Sequence, residues 1–209
     1  MNQQEGERGQ RWLGWLTTTL TIIIGAYVLF EPETGSEVVA EPPPELTDEP
    51  DLYMEDATIT QYQEDGSLKY QLVAAEIRHF EAAQITRLIT PSLKMHSPGK
   101  PPWNVSASYG YIRQRALPSG SHEEVVFLRE NVLLEQKYDD GQQVKLVSPS
   151  MYLYPDRQYA ETDQDVMIDT DVGRTQAIGM KGDLQRGLLN LFSRSDQRVH
   201  TIVLPKQFK

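Results

Sequence analysis

The sequence predicts an all-β protein: a twisted antiparallel β roll, or jellyroll, with open ends, preceded by one N-terminal transmembrane helix. Three observations predict it. Apolar and polar residues alternate with period two over several stretches, the signature of half-buried strands. Turn chemistry rich in Gly, Pro and Asp punctuates those stretches along the chain. One uncharged apolar run lies ahead of all of them.

That run, Trp12 to Phe30, holds 19 residues without a charge. As a helix it rises about 28 Å at roughly 1.5 Å per residue, close to the hydrocarbon thickness of a bilayer. Trp12, Trp15, Tyr27 and Phe30 bracket it as interfacial aromatics. Arg8 and Arg11 precede it and only carboxylates follow, which sets residues 1–11 as a cytoplasmic tail and residues 31–209 outside a bacterial inner membrane. A cleaved signal peptide would have a shorter apolar region and a small-residue site soon after it. Val38-Val39-Ala40 lies too far beyond Phe30, so the segment reads as a retained single-pass anchor.

Residues 31–50 mix proline with carboxylates and form an extended, self-repelling periplasmic linker. The formal charge of −10 resides in residues 31–56, the linker and the first residues after it, which carry ten carboxylates and no Lys or Arg. Residues 57–209 carry 18 acidic and 18 basic side chains and are neutral. No basic stripe remains to release phosphate counterions, so nucleic acid is not expected as a partner.

The β domain is assigned to residues 51–205, with residues 206–209 as a tail. Leu68 to Leu72, Trp103 to Tyr111 and Val199 to Val203 alternate as strands do. Turns are expected at Glu64-Asp65-Gly66, Ser97-Pro98-Gly99, Pro118-Ser119-Gly120, Asp139-Asp140-Gly141 and Pro155-Asp156. Gln185 to Phe192 is read as strand. A faint repeat sets Asn131-Val132, Asp165-Val166 and Arg198-Val199 at spacings of 34 and 33 residues. Val105-Ser-Ala107, Val147-Ser-Pro149 and Ala177-Ile-Gly179 precede them, as stacked hairpins would require.

Chemistry is sparse. The absence of cysteine excludes disulfides, a thiolate nucleophile and cysteine-ligated metal. His79, His96, His122 and His200 are scattered, and His122-Glu123-Glu124 lacks the second histidine of a helical zinc site. Glu123, Glu124 and Glu130 could supply a glycosidase pair, but a solvated strand face or turn is the expectation for them. No catalytic residue, metal site or cofactor is expected. An open roll leaves two alternatives for its apolar residues, a filled core or a groove for acyl chains.

Tyr62-x-x-x-Gly66-x-Leu68-x-Tyr70-x-Leu72-x-Ala74, Thr90-Pro91-x-Leu93, Trp103-x-Val105-x-Ala107 and Gly179-Met180-Lys181-Gly182-Asp183-Leu184 follow one another in an order that resembles the LptC family. That family is the membrane-anchored periplasmic subunit of the lipopolysaccharide transport machine. The resemblance covers anchor, linker and almost all of residues 52–204; Met167 to Gln176 and the loop at 115–122 depart from it. It implies a non-enzymatic conduit that takes lipopolysaccharide from an inner-membrane ATP-binding-cassette permease complex and passes it to a soluble periplasmic bridge protein. The transmembrane helix and first strand edge would meet the permease, and the C-terminal strand edge, with Val199, Ile202 and Leu204, would meet the bridge protein. Alternation puts Ala57 and Ile59 on one strand face and Leu68, Tyr70 and Leu72 on another, with Lys69 and Gln71 turned away. The family would add Leu88, Leu189 and Val203 to the lipid groove. A β adaptor that binds no lipid, and a glycan hydrolase or lectin, are the competing readings.

Overall fold

The computed structural model describes residues 49–63, 65–194 and 198–203. The anchor, most of the linker, Leu204 and the C-terminal tail lie outside the described residues. Twelve strands fill the described part: β1 Leu52–Tyr62, β2 Leu68–Phe80, β3 Ile85–Ile89, β4 Ser92–Ser97, β5 Lys100–Ser106, β6 Tyr109–Ala116, β7 His122–Lys137, β8 Gln143–Tyr154, β9 Tyr159–Thr170, β10 Gly173–Asp183, β11 Leu188–Leu191 and β12 His200–Val203. Every pairing among them is antiparallel. No helix long and apolar enough to cross a membrane occurs among the described residues.

The expected turns are present, with Gly66, Gly99, Gly120 and Gly141 at positive φ in four of them. Gln185 to Phe192 contains β11, as its pattern predicts. The stretch Trp103 to Tyr111, which reads as one alternating run, is divided between β5 and β6. Ala107 and Ser108 separate them, and their backbone amides donate sideways to Pro91 and Glu130. The alternation runs on through the break but its meaning changes: Trp103 and Val105 face the core before it, whereas Gly110 and Ile112 do so after it and Tyr111 joins Phe127 on the other face.

Breaks of this kind occur in strand after strand and fall into line. β2 pairs first with β4 and then with β3; β7 pairs first with β6 and then with β5. The ladders shift register between Arg129 and Val132, between Val147 and Tyr152, and between Ile178 and Met180. Glu130 and Asn131 adopt positive φ at the first of these, and Gly179 has a φ of 101° at the last. Extra residues bend the strand that holds them and increase its twist. The sheet therefore creases into two leaves. Edge strand β1 follows β2 across both; leaf A holds β3, β6, β11 and the adjoining halves of β2, β7, β8, β9 and β10. Leaf B holds β4, β5, β12 and the other halves. Two of the three repeat positions mark this crease, Val132 and Val166 being buried residues that resume strands just beyond it, whereas Val199 is exposed ahead of β12.

The core lies between the leaves and draws on both. Leu88, Leu128, Met151, Leu153 and Met180 come from leaf A, and Leu72, Leu93, Trp103, Leu134 and Leu146 from leaf B, in one contiguous cluster. The opposite face of leaf A carries an aromatic layer of its own. Phe127 contacts Tyr152 with ring centroids 4.6 Å apart, and Arg157 lies 4.5 Å from the centre of the Tyr154 ring.

Candidate functional site

Cross-strand partners share a face, so the β1–β2 register decides where the first groove candidates point. Ala57 pairs with Ala74 and Ile59 with Leu72, while Gln61 pairs with Tyr70. Ala57, Ile59, Tyr70 and Leu72 thus share one surface, the interior of leaf B. Ala57 and Ile59 are half-buried on the edge strand; Tyr70 and Leu72 are buried behind them. Leu68 continues the same face of β2 and is half-buried. Leu88 faces the interior of leaf A and is fully enclosed. At the other end of the sheet Leu189 is half-buried and packs against the core. Val203 pairs with Gly173 on the interior side of leaf B, yet it is 71% exposed. The interior is therefore a filled core at its centre that thins to half-covered apolar side chains at both ends.

Among the described residues, β1 pairs with β2 alone, and β11 and β12 pair with β10 alone. Both ends of the sheet are consequently open edges. In β12 every residue is exposed, including Ile202 at 52%; Val199, just before it, is also exposed. β12 approaches β10 so closely at Gly173 that a β-carbon there would fall on the Ile202 carbonyl oxygen.

Two expectations need correction. Glu123 is not on a solvated face: it is 3% exposed, accepting hydrogen bonds from Arg115 at 2.6 Å and Arg157 at 2.5 Å. Glu124 is half-buried, and its carboxylate accepts from the Tyr70 hydroxyl at 2.9 Å. Burial lifts the Glu124 carboxyl above its ordinary value, against the Tyr70 hydrogen bond and the Lys69 charge, which lower it; the nearby Asp156 charge raises it further. Burial and the neighbouring Glu124 and Asp156 charges push the Tyr70 hydroxyl up as well. Lys69, on the opposite face of β2 from Tyr70, pairs with Asp156 of the β8–β9 turn. Arg115 stands opposite Glu123 in the β6–β7 hairpin, but the other partners come from distant parts of the chain, which no period-two pattern could reveal.

The described residues contain no cluster of side chains suited to a metal ion. A polar cavity of about 730 Å³ opens beside Lys69 and Asp156, lined also by Gln61, Gln63, Gln158 and Gln185.

Residues 17–199 match the family described as Lipopolysaccharide-assembly, LptC-related. The chain belongs to this family. Membership ties it to lipopolysaccharide transport. No curated protein sequence matches the chain. Among solved structures it is similar to LptH, the LptA homologous periplasmic component of the lipopolysaccharide transport device of Pseudomonas aeruginosa. That likeness has a TM-score of 0.50 at 12% identity and covers 65% of this chain and 95% of the other. At that identity it speaks for the fold, and the creased antiparallel sheet of this LptC-related chain is an LptA-like jellyroll.

Proposed function

We propose that the described domain carries lipopolysaccharide by its acyl chains, between an inner-membrane ATP-driven permease complex and a soluble periplasmic bridge protein. One observation supports this above the others: a single apolar interior runs the width of the sheet and emerges half-covered at two open edges. Ala57 and Ile59 line it at the β1 edge; Leu189 and Val203 line it at the other. Tyr70, Leu72 and Leu88 form the wall between, reached by chains only when the leaves part. Fully burying one such side chain is worth about 1.5–3 kcal/mol, so several contacts together suffice to hold a multi-chain lipid.

The β1 edge would extend the sheet of the permease complex and the β12 edge that of the bridge protein, by strand addition. An exposed apolar edge is an aggregation hazard unless a partner strand covers it. Val199 and Ile202 fit that role, with Leu204 following them in sequence. Trp12 to Phe30 would anchor the chain in the inner membrane with its bulk in the periplasm.

Photo-crosslinking amino acids in the full-length chain test the reading. Positions 59 and 189 should label lipopolysaccharide and position 71, on the outer face, should not; equal labelling at all three would overturn it. Deleting residues 199–209 should abolish co-purification of the bridge protein while the permease complex is retained. A folded truncated chain that still captures the bridge protein would exclude the β12 edge as its site.

A further inference from the structure

The leaves meet a second time, far from the crease, along a line where no strand passes between them. Here the start of β2 and the β4–β5 hairpin, from leaf B, touch the start of β7 and the β8–β9 and β10–β11 turns, from leaf A. Side chains make the join. The Tyr70 hydroxyl donates to Glu124 at 2.9 Å, Lys69 pairs with Asp156, and Ser97 donates to Gln158. Gln158 in turn donates to the His96 carbonyl at 2.7 Å, and Lys100 donates to the Gln185 carbonyl at 2.6 Å. Behind the seam the Trp103 indole donates to the Leu184 carbonyl at 3.1 Å, already within the buried layer.

Chemistry changes abruptly across this line. On the inner side lie Leu72, Leu93 and Met95, all buried. On the outer side lies the cavity of about 730 Å³, whose lining includes four glutamines, Gln61, Gln63, Gln158 and Gln185, with the charged Asp65, Lys69, Asp156 and Arg157 among them. An amide both donates and accepts, and so matches a hydroxyl-rich ligand. The arrangement is amphipathic over one step: an amide-lined chamber, a seam of side-chain bonds, an apolar interior.

We infer that this end of the roll is the port through which lipopolysaccharide is taken up. Its sugars occupy the amide-lined chamber, and its acyl chains pass between the leaves as the seam parts. The inference rests on the proposed carriage of lipopolysaccharide and adds the place of uptake and the groups that read the saccharide. It also explains how chains reach walls as enclosed as Leu72 and Leu88.

The chain has no cysteine of its own, so the seam can be locked selectively. In full-length protein in nanodiscs, Ser97→Cys with Gln158→Cys would be bridged by a short bis-methanethiosulfonate and released by reductant. Transfer of lipopolysaccharide is read by photo-crosslinking from position 59. Bridging should slow labelling at least about ten-fold, and reductant should restore it. A second variant, Gln61→Ala with Gln185→Ala, should weaken labelling by lipopolysaccharide and leave labelling by a palmitate probe unchanged. Bridged protein that labels as fast as unbridged protein would overturn the port and move uptake to the strand edges. Glutamine variants that lose both ligands equally, or neither, would overturn the saccharide chamber. If the unbridged wild type labels with no lipopolysaccharide at all, the proposed function itself fails.

Discussion

The same leaves are joined in two ways, at the crease and at the seam, and the joins differ in kind. At the crease each long strand runs through from one leaf to the other; the β7–β8 and β9–β10 ladders resume after one or two irregular residues, and the β8–β9 ladder after a longer gap between Val147 and Tyr152. Backbone bonds knit much of it, with Ser108 donating to Glu130 at 2.8 Å and Thr90 to Ser108 at 2.8 Å, and short hydroxyls complete it, Ser148 and Thr162 both donating to the Ser150 carbonyl. At the seam the partners are side chains and turn carbonyls, several of them half-exposed, with water as an available substitute. A hydrogen bond between such groups contributes about 0.5–1.5 kcal/mol net, and a solvated ion pair about 0–1 kcal/mol. One join is a hinge that the chain itself enforces. The other is held by side-chain contacts, which the proposed uptake would part while the ladders stay paired.

The sharpest way to break this comparison is at Gly179, where the crease depends on a backbone form that side chains rarely adopt. Its φ is 101°, and an added β-carbon would sit 3.1 Å from the Thr162 carbonyl oxygen. Gly179→Val should lower stability by about 1–3 kcal/mol in urea unfolding. A smaller loss than that would mean the crease tolerates other geometries and is no hinge.

At the seam the expected effect is lesser. Lys69→Ala removes a pair whose Asp156 side chain is 39% exposed, and should lower stability by less than about 1 kcal/mol while increasing hydrogen exchange at the β4–β5 hairpin. A loss equal to that of Gly179→Val would make the two joins alike.

The least effect, and the most specific, is that of pH on Glu124. Its folded value lies above the ordinary 4.5, so the folded state holds the proton more tightly than the unfolded chain. Stability from this group is complete below about pH 4.5 and is lost as pH rises through the raised folded value. In Glu124→Gln that loss should vanish. Wild type relative to the variant should therefore weaken from pH 4.5 towards neutrality, read from urea midpoints at matched pH. A difference independent of pH would remove Glu124 from the electrostatics of the seam.

Much of the domain is legible in the chain because period two and turn residues are local signals. The β2 core face, the glycine turns and the strand at Leu188–Leu191 follow from residues within a dozen positions of one another. The crease was visible only as a faint repeat, since a bulge replaces one ladder bond by another and leaves little compositional trace. Of the groove candidates, the sequence put Leu68, Tyr70 and Leu72 on one face of β2, but it could not set the depth of each. Leu88 and Val203 are both apolar strand residues, yet one is enclosed and the other 71% exposed.

By itself, then, the sequence determined an all-β domain, the positions of its turns, its neutral charge behind an acidic linker, and its LptC-like order of motifs. These depend on spacing and composition, which any reader of the chain can count. Tertiary structure alone decided that Glu123 is buried between Arg115 and Arg157, that Lys69 reaches Asp156, and that Tyr70 meets Glu124. Lys69 and Asp156, like Tyr70 and Glu124, become neighbours through the crease, because bending the strands at one line brings the free ends of the leaves together.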